Sequence, residues 1–407
     1  MPTVDRERFM RDGYVILRDV LQPDEVMELR ESYERLYPKQ KAIWRDERGP
    51  DDPPGGRFET ARQPRIQRIQ NLIDAQTANT VEAWLSERTL GVAEQLLSQP
   101  VFGVHEMQVM CEPTFNYGPA NWHRDISAED CGPLRVLQEA LLENGPDYVQ
   151  WNLPLYDDKV LWVVPGSHAR LNNEAENRQL QEDAQAPLPG GIPVELEAGD
   201  ALAYTHYMLH WGSDYTPGTV RRTIHGGHTT YPDWPDIGFA PHLSPNSRAR
   251  FESWTVLTAK LKDATERCLR AVMDKDRRAY LDGLQSILPG AGPAGQLQLT
   301  IYFCKAALKL HLLKRTDYQR LPVDVRGRAE STHGLTMNWG PAFAERFTKV
   351  EADAIWAGFS ELERHLRGDG EIFVDREGKH SSEYYPEEMA EPFSIKDFVA
   401  SWPNGSA

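Results

Sequence analysis

The stretch between residues 101 and 231 constrains the fold most strongly, because it consists of short extended runs separated by turns. These runs are Val101 to Met110, Tyr148 to Leu153, Lys159 to Val164, Ile192 to Leu196, Ala201 to His206 and Arg222 to Tyr231. A doubly wound sheet would place a helical run after nearly every strand, and no such alternation is present. The pattern therefore predicts a mainly β central region, folded as a β-sandwich or a barrel.

The residues before this region predict both strand and helix. Tyr14 to Leu17 is typical of a strand, and the apolar residues after Pro23 recur at close to 3.6-residue spacing, which indicates a helix. Residues 39–66 are rich in charged residues, proline and glycine, and this composition predicts a long loop. A second helix is predicted from Val81 to Leu97.

The hydrophobic period lengthens to that of a helix after about residue 245. Helical spacing is present from Phe251 to Leu288, from Gln296 to Lys314 and from Val350 to Leu366, with an interruption between Pro289 and Pro293. We therefore expect two parts. Residues 1–244 would form a mainly β domain with flanking helices, and residues 245–407 a mostly helical C-terminal extension that packs on or next to it.

The charge balance excludes some classes of partner. The chain has 45 basic and 61 acidic residues, a formal net charge of −16. Broad electrostatic attraction to a nucleic acid or to anionic lipid is not expected for such a chain. We therefore expect neither a nucleic-acid nor a membrane partner.

Cysteine usage and the N-terminal residues bear on the compartment. The four cysteines, Cys111, Cys131, Cys268 and Cys304, are far apart in sequence and form no CxxC pair, which favours a reducing compartment. The first residues form no apolar signal segment, and no run approaches the roughly 18 apolar residues of a membrane span. We expect a cytoplasmic protein.

A metal site is indicated by the sequence His123-Arg124-Asp125. In an extended segment, positions i and i+2 project on the same side, so an imidazole and a carboxylate converge. His210 follows a Gly199-Asp200 turn and a predicted strand. Two histidines and one carboxylate form the facial triad of non-haem Fe(II) oxygenases, which leaves coordination positions open for a chelating cosubstrate and O2.

An arginine follows the second histidine at a useful distance in sequence. Arg221 lies eleven positions after His210, at the start of another predicted strand. If the cosubstrate is a dicarboxylic 2-oxo acid, its distal carboxylate needs a fixed cation, and a guanidinium can meet a carboxylate with two parallel hydrogen bonds. These residues together predict an oxygenase site.

The order of the motifs resembles that of the phytanoyl-CoA dioxygenase family of Fe(II)/2-oxoglutarate-dependent oxygenases. The matching segments are Phe9 to Arg30, the Trp122-His123-Arg124-Asp125 motif, the strand and turn Leu161 to His168, the Gly199-Asp200 turn, and His210 with Arg221-Arg222. The resemblance covers roughly residues 5 to 232, and several motifs in the same order are far more specific than one.

This resemblance implies a fold, cofactors and ligands. It implies a double-stranded β-helix (jelly-roll) core that binds Fe(II) through His123, Asp125 and His210. It also implies that Arg221 binds the C5 carboxylate of 2-oxoglutarate, and that O2 is the second cosubstrate. The expected reaction is hydroxylation, or another oxidation, of an unactivated C–H bond of a small-molecule metabolite, with release of succinate and CO2.

Further residues follow from the resemblance, and some of them depart from the family pattern. Trp151 is expected along 2-oxoglutarate. Ser213 is the counterpart of a cosubstrate-binding serine, although it lies one residue further from the distal histidine than usual. Arg222 is an alternative to Arg221. Chloride-transferring relatives lack the metal-binding carboxylate, so the presence of Asp125 favours hydroxylation over halogenation.

Three alternatives remain open from the sequence. Desaturation or ring closure would use the same residues as hydroxylation. A catalytically silent jelly-roll could bind metal or a ligand as a sensor, and a zinc hydrolase could use the same triad. We expect a polar or amphipathic small substrate, and homo-oligomer formation through the C-terminal helices.

Overall fold

The computed structural model of the protein describes residues 3–67, 71–101, 103–231, 237–332, 335–368, 384–400 and 402. Its strands are β1 (Tyr14–Leu17), β2 (Arg65–Ile66), β3 (Gly103–Cys111), β4 (Tyr148–Pro154), β5 (Leu161–Val163), β6 (Ile192–Pro193), β7 (Ala201–Tyr204), β8 (His210–Gly212) and β9 (Arg222–Thr229). Its helices are α1 (Arg6–Asp12), α2 (Pro23–Asp46), α3 (Arg57–Thr60), α4 (Asn79–Glu82), α5 (Leu90–Leu96), α6 (Leu134–Asn144), α7 (Glu174–Glu182), α8 (Pro245–Asp274), α9 (Arg277–Ile287), α10 (Pro293–Leu313), α11 (Val323–Glu330), α12 (Gly340–Ala344), α13 (Lys349–Gly358), α14 (Ser360–Leu366) and α15 (Ile395–Phe398).

The chain divides into two compact units. The first comprises residues 1–125, 146–230 and 234–254, and the second comprises residues 126–145, 231–233 and 255–407. All the strands listed above belong to the first unit.

Two antiparallel sheets form the centre of the first unit. The larger sheet has six strands in the order β1-β7-β4-β9-β3-β2, and the smaller has three in the order β6-β5-β8. A buried cluster joins side chains of both sheets, including Val163 of β5 with Leu202 and Tyr204 of β7. The two sheets therefore pack against each other, and burial of this cluster stabilises that packing.

The central strands β4 and β9 are buried along their whole length, so neither shows the alternation of a strand with one exposed face. A bulge in β3 between His105 and Gln108 adjoins β9. There Gly226 has a φ of 146°, and a Cβ at this position would overlap the backbone oxygen of Glu106. Glycine is therefore needed where the bulge approaches β9.

The antiparallel sheets with flanking helices confirm the coarse expectation, but the prediction of a mainly β chain is wrong. Among the described residues, helices account for more of the chain than strands do. Part of the predicted loop at residues 39–66 continues α2 to Asp46, since Lys39 to Asp46 is mostly made of good helix formers. Helix α6 was missing from the prediction, although Leu134, Leu137 and Leu141 have helical spacing and are buried.

Other element bounds also differ from the prediction. The helix expected from Val81 to Leu97 is broken: α4 ends at Glu82, a short 3-10 turn follows, and α5 begins at Leu90. Strand β8 was missing from the prediction, because three residues are too few to show a period.

Helices make up the regular structure of the second unit. The predicted helical run from Phe251 to Leu288 is divided at Lys275, which has a φ of 53°, and Asp276 then caps α9 by accepting a hydrogen bond from the Ala279 amide. Helix α10 begins at Pro293, the last residue of the predicted interruption, and is buried on nearly every side. Within the described residues no helix combines the length and apolar character of a bilayer span.

Candidate active site

The structure brings His123, Asp125 and His210 together. One ligand atom from each of the three residues lies within 4.8 Å of the others. The Nε2 atom of His123 lies 3.5 Å from Asp125 Oδ1, and the Nε2 atom of His210 lies 3.2 Å from Asp125 Oδ2. His210 is buried, whereas the side chains of His123 and Asp125 are partly exposed. Two imidazoles and one carboxylate therefore converge on one point that solvent can reach.

Backbone hydrogen bonds fix this convergence. His123 and His210 form an isolated antiparallel bridge, with N–O distances of 3.0 and 2.9 Å. The Asp125 amide donates to the carbonyl of His206 at 3.0 Å. The segment that carries His123 and Asp125 therefore runs beside the chain that leads into β8, which carries His210.

The Nε2 atoms of both imidazoles face Asp125, and a contact of each Nδ1 atom orients the ring. The Nδ1 atom of His123 lies 2.8 Å from the Asn121 carbonyl, and the Nδ1 atom of His210 lies 2.9 Å from the Met208 carbonyl. A carbonyl only accepts, so each Nδ1 carries the proton and each Nε2 presents its lone pair. This is the tautomer and orientation of a metal-binding histidine.

The electrostatics of the triad favour an ionised carboxylate. Burial alone would raise the pKa of Asp125, but the neighbouring His210 and His123 outweigh it and hold that pKa well below its usual value. Burial lowers the pKa of His123, and the contact with Asp125 more than reverses this. The side-chain amide of Gln150 donates to Asp125 Oδ2 at 2.6 Å and also contacts the Tyr204 hydroxyl at 2.7 Å.

One face of the larger sheet is directed towards the triad and is unusually polar. Gln150 marks this face, and the strand register places Asn152 of β4 opposite His225 of β9, which in turn lies opposite Gln108 of β3. The Nδ1 atom of His225 lies 2.7 Å from the Asn152 side-chain oxygen. Burial, followed by the charge of Arg65, lowers the pKa of His225 to about 3, so this ring is neutral. We call these residues the polar sheet face.

Arg221 has the features of an anion-binding residue. Its side chain is 11% exposed, and its Nε donates to Asp158 Oδ2 at 2.9 Å. Its Nη1 is buried and has no hydrogen-bond partner among the described residues. Asp158 is itself held by the hydroxyl of Thr223 at 2.6 Å and by the Val160 amide at 2.9 Å. The guanidinium is therefore oriented through Nε, and a buried N–H group is left for a ligand.

The guanidinium of the neighbouring Arg222 has different contacts from that of Arg221. It pairs with Glu34 at 2.8 Å and with Glu112 at 2.5 Å, and its guanidinium lies over the Tyr37 ring. Adjacent residues of an extended strand point to opposite faces, which separates the surroundings of the two arginines.

Trp151 and Ser213 form hydrogen bonds with residues other than the triad. Trp151 alternates with Gln150 and Asn152 on β4, and its indole N–H donates to Nδ1 of His228 at 3.1 Å, on the opposite face of the strand. The Ser213 hydroxyl donates to the Val160 carbonyl at 2.9 Å. Their predicted contacts with a cosubstrate stay predictions.

Sequence reasoning missed several residues near the triad or beside Arg221. Gln150 and Asn152 could have been found, because they are polar residues at alternate positions of an otherwise apolar run. Asp158 and Tyr215 gave no such signal, since their positions depend on how the chain folds back beside β9.

The comparisons with known proteins identify the family of this chain. The family model described as phytanoyl-CoA dioxygenase (PhyH) matches residues 9–223, and the chain belongs to this family. It is an Fe(II)- and 2-oxoglutarate-dependent dioxygenase, as the resemblance of the motifs implied. Its expected cofactors, Fe(II) and 2-oxoglutarate, are those of the family.

Curated relatives from four bacteria are named ectoine dioxygenase. The relative from Streptomyces coelicolor is 30% identical over 238 residues, which cover 52% of this chain and 71% of the relative. The relative from Nocardia farcinica is 29% identical over 168 residues, which cover 39% of this chain and 49% of the relative.

Solved structures align with about half of the chain. The crystal structure of AviO1 from Streptomyces viridochromogenes has 23% identity and a TM-score of 0.39, and covers 56% of this chain and 96% of its own. The structure of EctD from S. alaskensis with 2-oxoglutarate and 5-hydroxyectoine has 19% identity and a TM-score of 0.40, and covers 55% of this chain and 74% of its own.

Proposed function

We propose that His123, Asp125 and His210 hold Fe(II) and that Arg221 binds the C5 carboxylate of 2-oxoglutarate. The donor set fits this metal, because two imidazole Nε2 atoms and one carboxylate converge with their other polar atoms already engaged. The buried and unpartnered Nη1 of Arg221 fits the carboxylate. The convergence of the triad is the observation that carries the proposal.

The reaction is the oxidation of an unactivated C–H bond of a small-molecule metabolite, most simply its hydroxylation. Bound iron with 2-oxoglutarate supplies the activation of O2, and 2-oxoglutarate is converted to succinate and CO2. The protein's residues hold and orient these groups. Gln150 holds Asp125 by donating to its Oδ2 atom, which also lies 3.2 Å from Nε2 of His210.

The finer description of the fold belongs to this proposal. We describe the two facing antiparallel sheets as the larger and smaller sheets of a double-stranded β-helix, with residues 1–244 as the oxygenase domain. Residues 245–407 would be a helical extension that offers a surface for homo-oligomer formation. The expectation of such a core comes from the family.

A small polar substrate is favoured by two observations. The polar sheet face places the side chains of Asn152 and His225, which contact each other, beside the proposed iron site. The curated relatives are named for ectoine, a small molecule. Ectoine and other small polar metabolites are therefore the first substrates to test.

The test is succinate formation from 2-oxoglutarate with Fe(II) and ascorbate in air, in the presence of such metabolites. The parent protein should form succinate, and His123→Ala should lose this activity, whereas replacement of the exposed His242 by alanine should not. Absence of succinate with every compound would favour a catalytically silent metal-binding protein. Turnover that continues without O2 would favour a zinc hydrolase.

A further inference from the structure

The charges of three arginines act on a buried phenol beside the proposed 2-oxoglutarate site. Tyr215 is 6% exposed, and the Arg221 guanidinium carbon lies 5.7 Å from the centre of its ring. Burial raises the pKa of Tyr215, and the charged groups that weigh most on it are Arg221, Arg65 and Arg62 as cations and Asp158 as the anion. The side-chain amide of Gln63 lies 3.5 Å from the phenol oxygen. This part of the site therefore has more positive than negative charge.

Arg65 lies on the polar sheet face. In the register of β2 and β3, Arg65 is opposite Met110, and Gln108 precedes Met110 by two residues on the same face. Gln108 is opposite His225 of β9, which contacts Asn152 of β4. The Arg65 guanidinium donates to the side-chain oxygen of Gln108 at 3.3 Å, which keeps it against this face.

Amide oxygens, and no carboxylates, hold Arg65 in the described part of the chain. Its second hydrogen bond goes to the side-chain oxygen of Gln63 at 3.1 Å. The nearest carboxylate in this chain of contacts is Glu106, which accepts from the Gln108 amide at 2.7 Å and is half exposed. Arg62 likewise forms no ion pair with a described residue, and its Nε is buried without a hydrogen-bond partner. A half-buried guanidinium without a counterion is costly unless a ligand supplies the negative charge.

A count of formal charges shows how much positive charge stays unbalanced when 2-oxoglutarate is bound. Fe(II) is balanced by Asp125 and by the C1 carboxylate of 2-oxoglutarate. Around Tyr215, Asp158 balances one of the three arginines and the C5 carboxylate balances a second. One positive charge is left over, beside the polar sheet face.

We propose that Arg65, supported by Arg62, forms a subsite for an anionic group of the primary substrate, so that the enzyme oxidises a small carboxylate or phosphate ester. This inference rests on the proposed function and adds a substrate class to it. The planar guanidinium, fixed by the side chains of Gln63 and Gln108, would bind the anion by paired hydrogen bonds. The neutral ring of His225 would contact a neighbouring polar group of the same molecule.

The experiment uses the full-length protein loaded anaerobically with Fe(II) and saturating 2-oxoglutarate. The charge-transfer absorption of the chelated cosubstrate reports loading, and its perturbation together with the thermal unfolding temperature reports probe binding. The probes are benzoate, phenyl phosphate and the neutral benzamide. At least one anion should bind about 10-fold more tightly than benzamide, and the preferred anion distinguishes a carboxylic acid from a phosphate ester.

The variants separate the roles of the arginines. Arg65→Gln should reduce the preference for the anion to less than about 3-fold while 2-oxoglutarate binding stays within about 3-fold of the parent. Arg65→Lys should retain part of the preference, and the exposed Arg178→Gln should behave as the parent. Equal binding of anions and benzamide by the parent would overturn the inference, as would an undiminished preference in Arg65→Gln.

Two further outcomes are informative. If Arg65→Gln weakens the binding of 2-oxoglutarate as strongly as Arg221→Gln does, then Arg65 binds the cosubstrate. The inference is then overturned, while the proposed function stands. If the parent shows no charge-transfer absorption, the proposed function fails and the inference fails with it.

Discussion

At the scale of single residues, the surroundings of a side chain decide its role more than its type does. Arg221 and Arg222 are adjacent in sequence, and both were candidates for binding the cosubstrate carboxylate. Arg222 already pairs with the carboxylates of Glu34 and Glu112, whereas Arg221 keeps a buried Nη1 without a partner in the described residues. The choice between them depends on contacts with α2 and with the residue that follows β3, which no local pattern reveals.

Arg221→Gln should therefore weaken the binding of 2-oxoglutarate without weakening the binding of ligands that lack a C5 carboxylate. A charge-assisted hydrogen bond contributes about 1.5–3 kcal/mol, so the dissociation constant should rise about 10- to 100-fold. Pyruvate has the same chelating oxygens but no C5 carboxylate, so its affinity should be the same in parent and variant. Anaerobic titration of the Fe(II) protein with both ligands checks this. Equal losses for the two ligands would show that the substitution damages the site generally.

The protonation of His228 should make the stability of the fold depend on pH. Its ring is buried, accepts from the Trp151 indole at Nδ1 and lies 2.9 Å from the Trp84 carbonyl at Nε2, and burial lowers its pKa from 6.5 to about 4. A depressed histidine pKa means that the unfolded chain binds the proton more tightly. The contribution to stability is therefore complete above pH 6.5 and is lost as the pH falls towards 4.

The free energy of unfolding of the metal-free protein should fall by about 3 kcal/mol on this account between pH 7 and pH 4, besides contributions from other groups. His228→Gln keeps a donor and an acceptor but does not titrate, so its stability should depend less steeply on pH. Urea unfolding at several pH values measures the difference. Parallel curves for the parent and the variant would contradict the assignment.

At the scale of secondary-structure elements, the sequence predicted long helices and strands and some of their ends, but it did not predict short or irregular elements. Strands β3, β7 and β9 and helix α10 lie close to their predicted places, because each has several residues of consistent period. Helix α2 continues through Pro38, where a sequence argument would end it. The sequence of no single strand predicts the polar sheet face, because this face depends on the register between four strands.

The bulge opposite β9 allows a test at this scale. Gly226→Ala would place a Cβ against the backbone oxygen of Glu106 and add strain at positive φ, so it should destabilise the protein by several kcal/mol. Gly218 also has positive φ, at 81°, but a Cβ there would meet nothing within 4 Å. Gly218→Ala should therefore cost only about 1 kcal/mol. Urea unfolding of the two variants compares them, and equal losses would show that strain alone, not the close approach, requires glycine.

At the scale of the whole molecule, the order of motifs along the chain was enough to predict the triad, because each motif carries its own local geometry. The HxD segment brings two ligand atoms together wherever it is extended, and β8 needs only to lie beside it. The balance of helix and strand was not predictable in the same way. The end of α2 lies within a stretch whose charged residues, prolines and glycines favoured a loop, and α6 is a short helix between Pro133 and Gly145.

Metal binding should stabilise the whole protein through the triad. A ligand that binds only the folded state stabilises it by about 2.7 kcal/mol at a concentration 100 times its dissociation constant. Fe(II), or Mn(II) as a redox-inert substitute, should therefore raise the thermal unfolding temperature by a few degrees, and a chelator should reverse the change. His123→Ala and Asp125→Ala should remove the effect. Gln150→Leu leaves the three ligands but removes the hydrogen bond to Asp125, so it should weaken the metal about 10- to 100-fold. A rise of equal size in the parent and in His123→Ala would place the metal elsewhere.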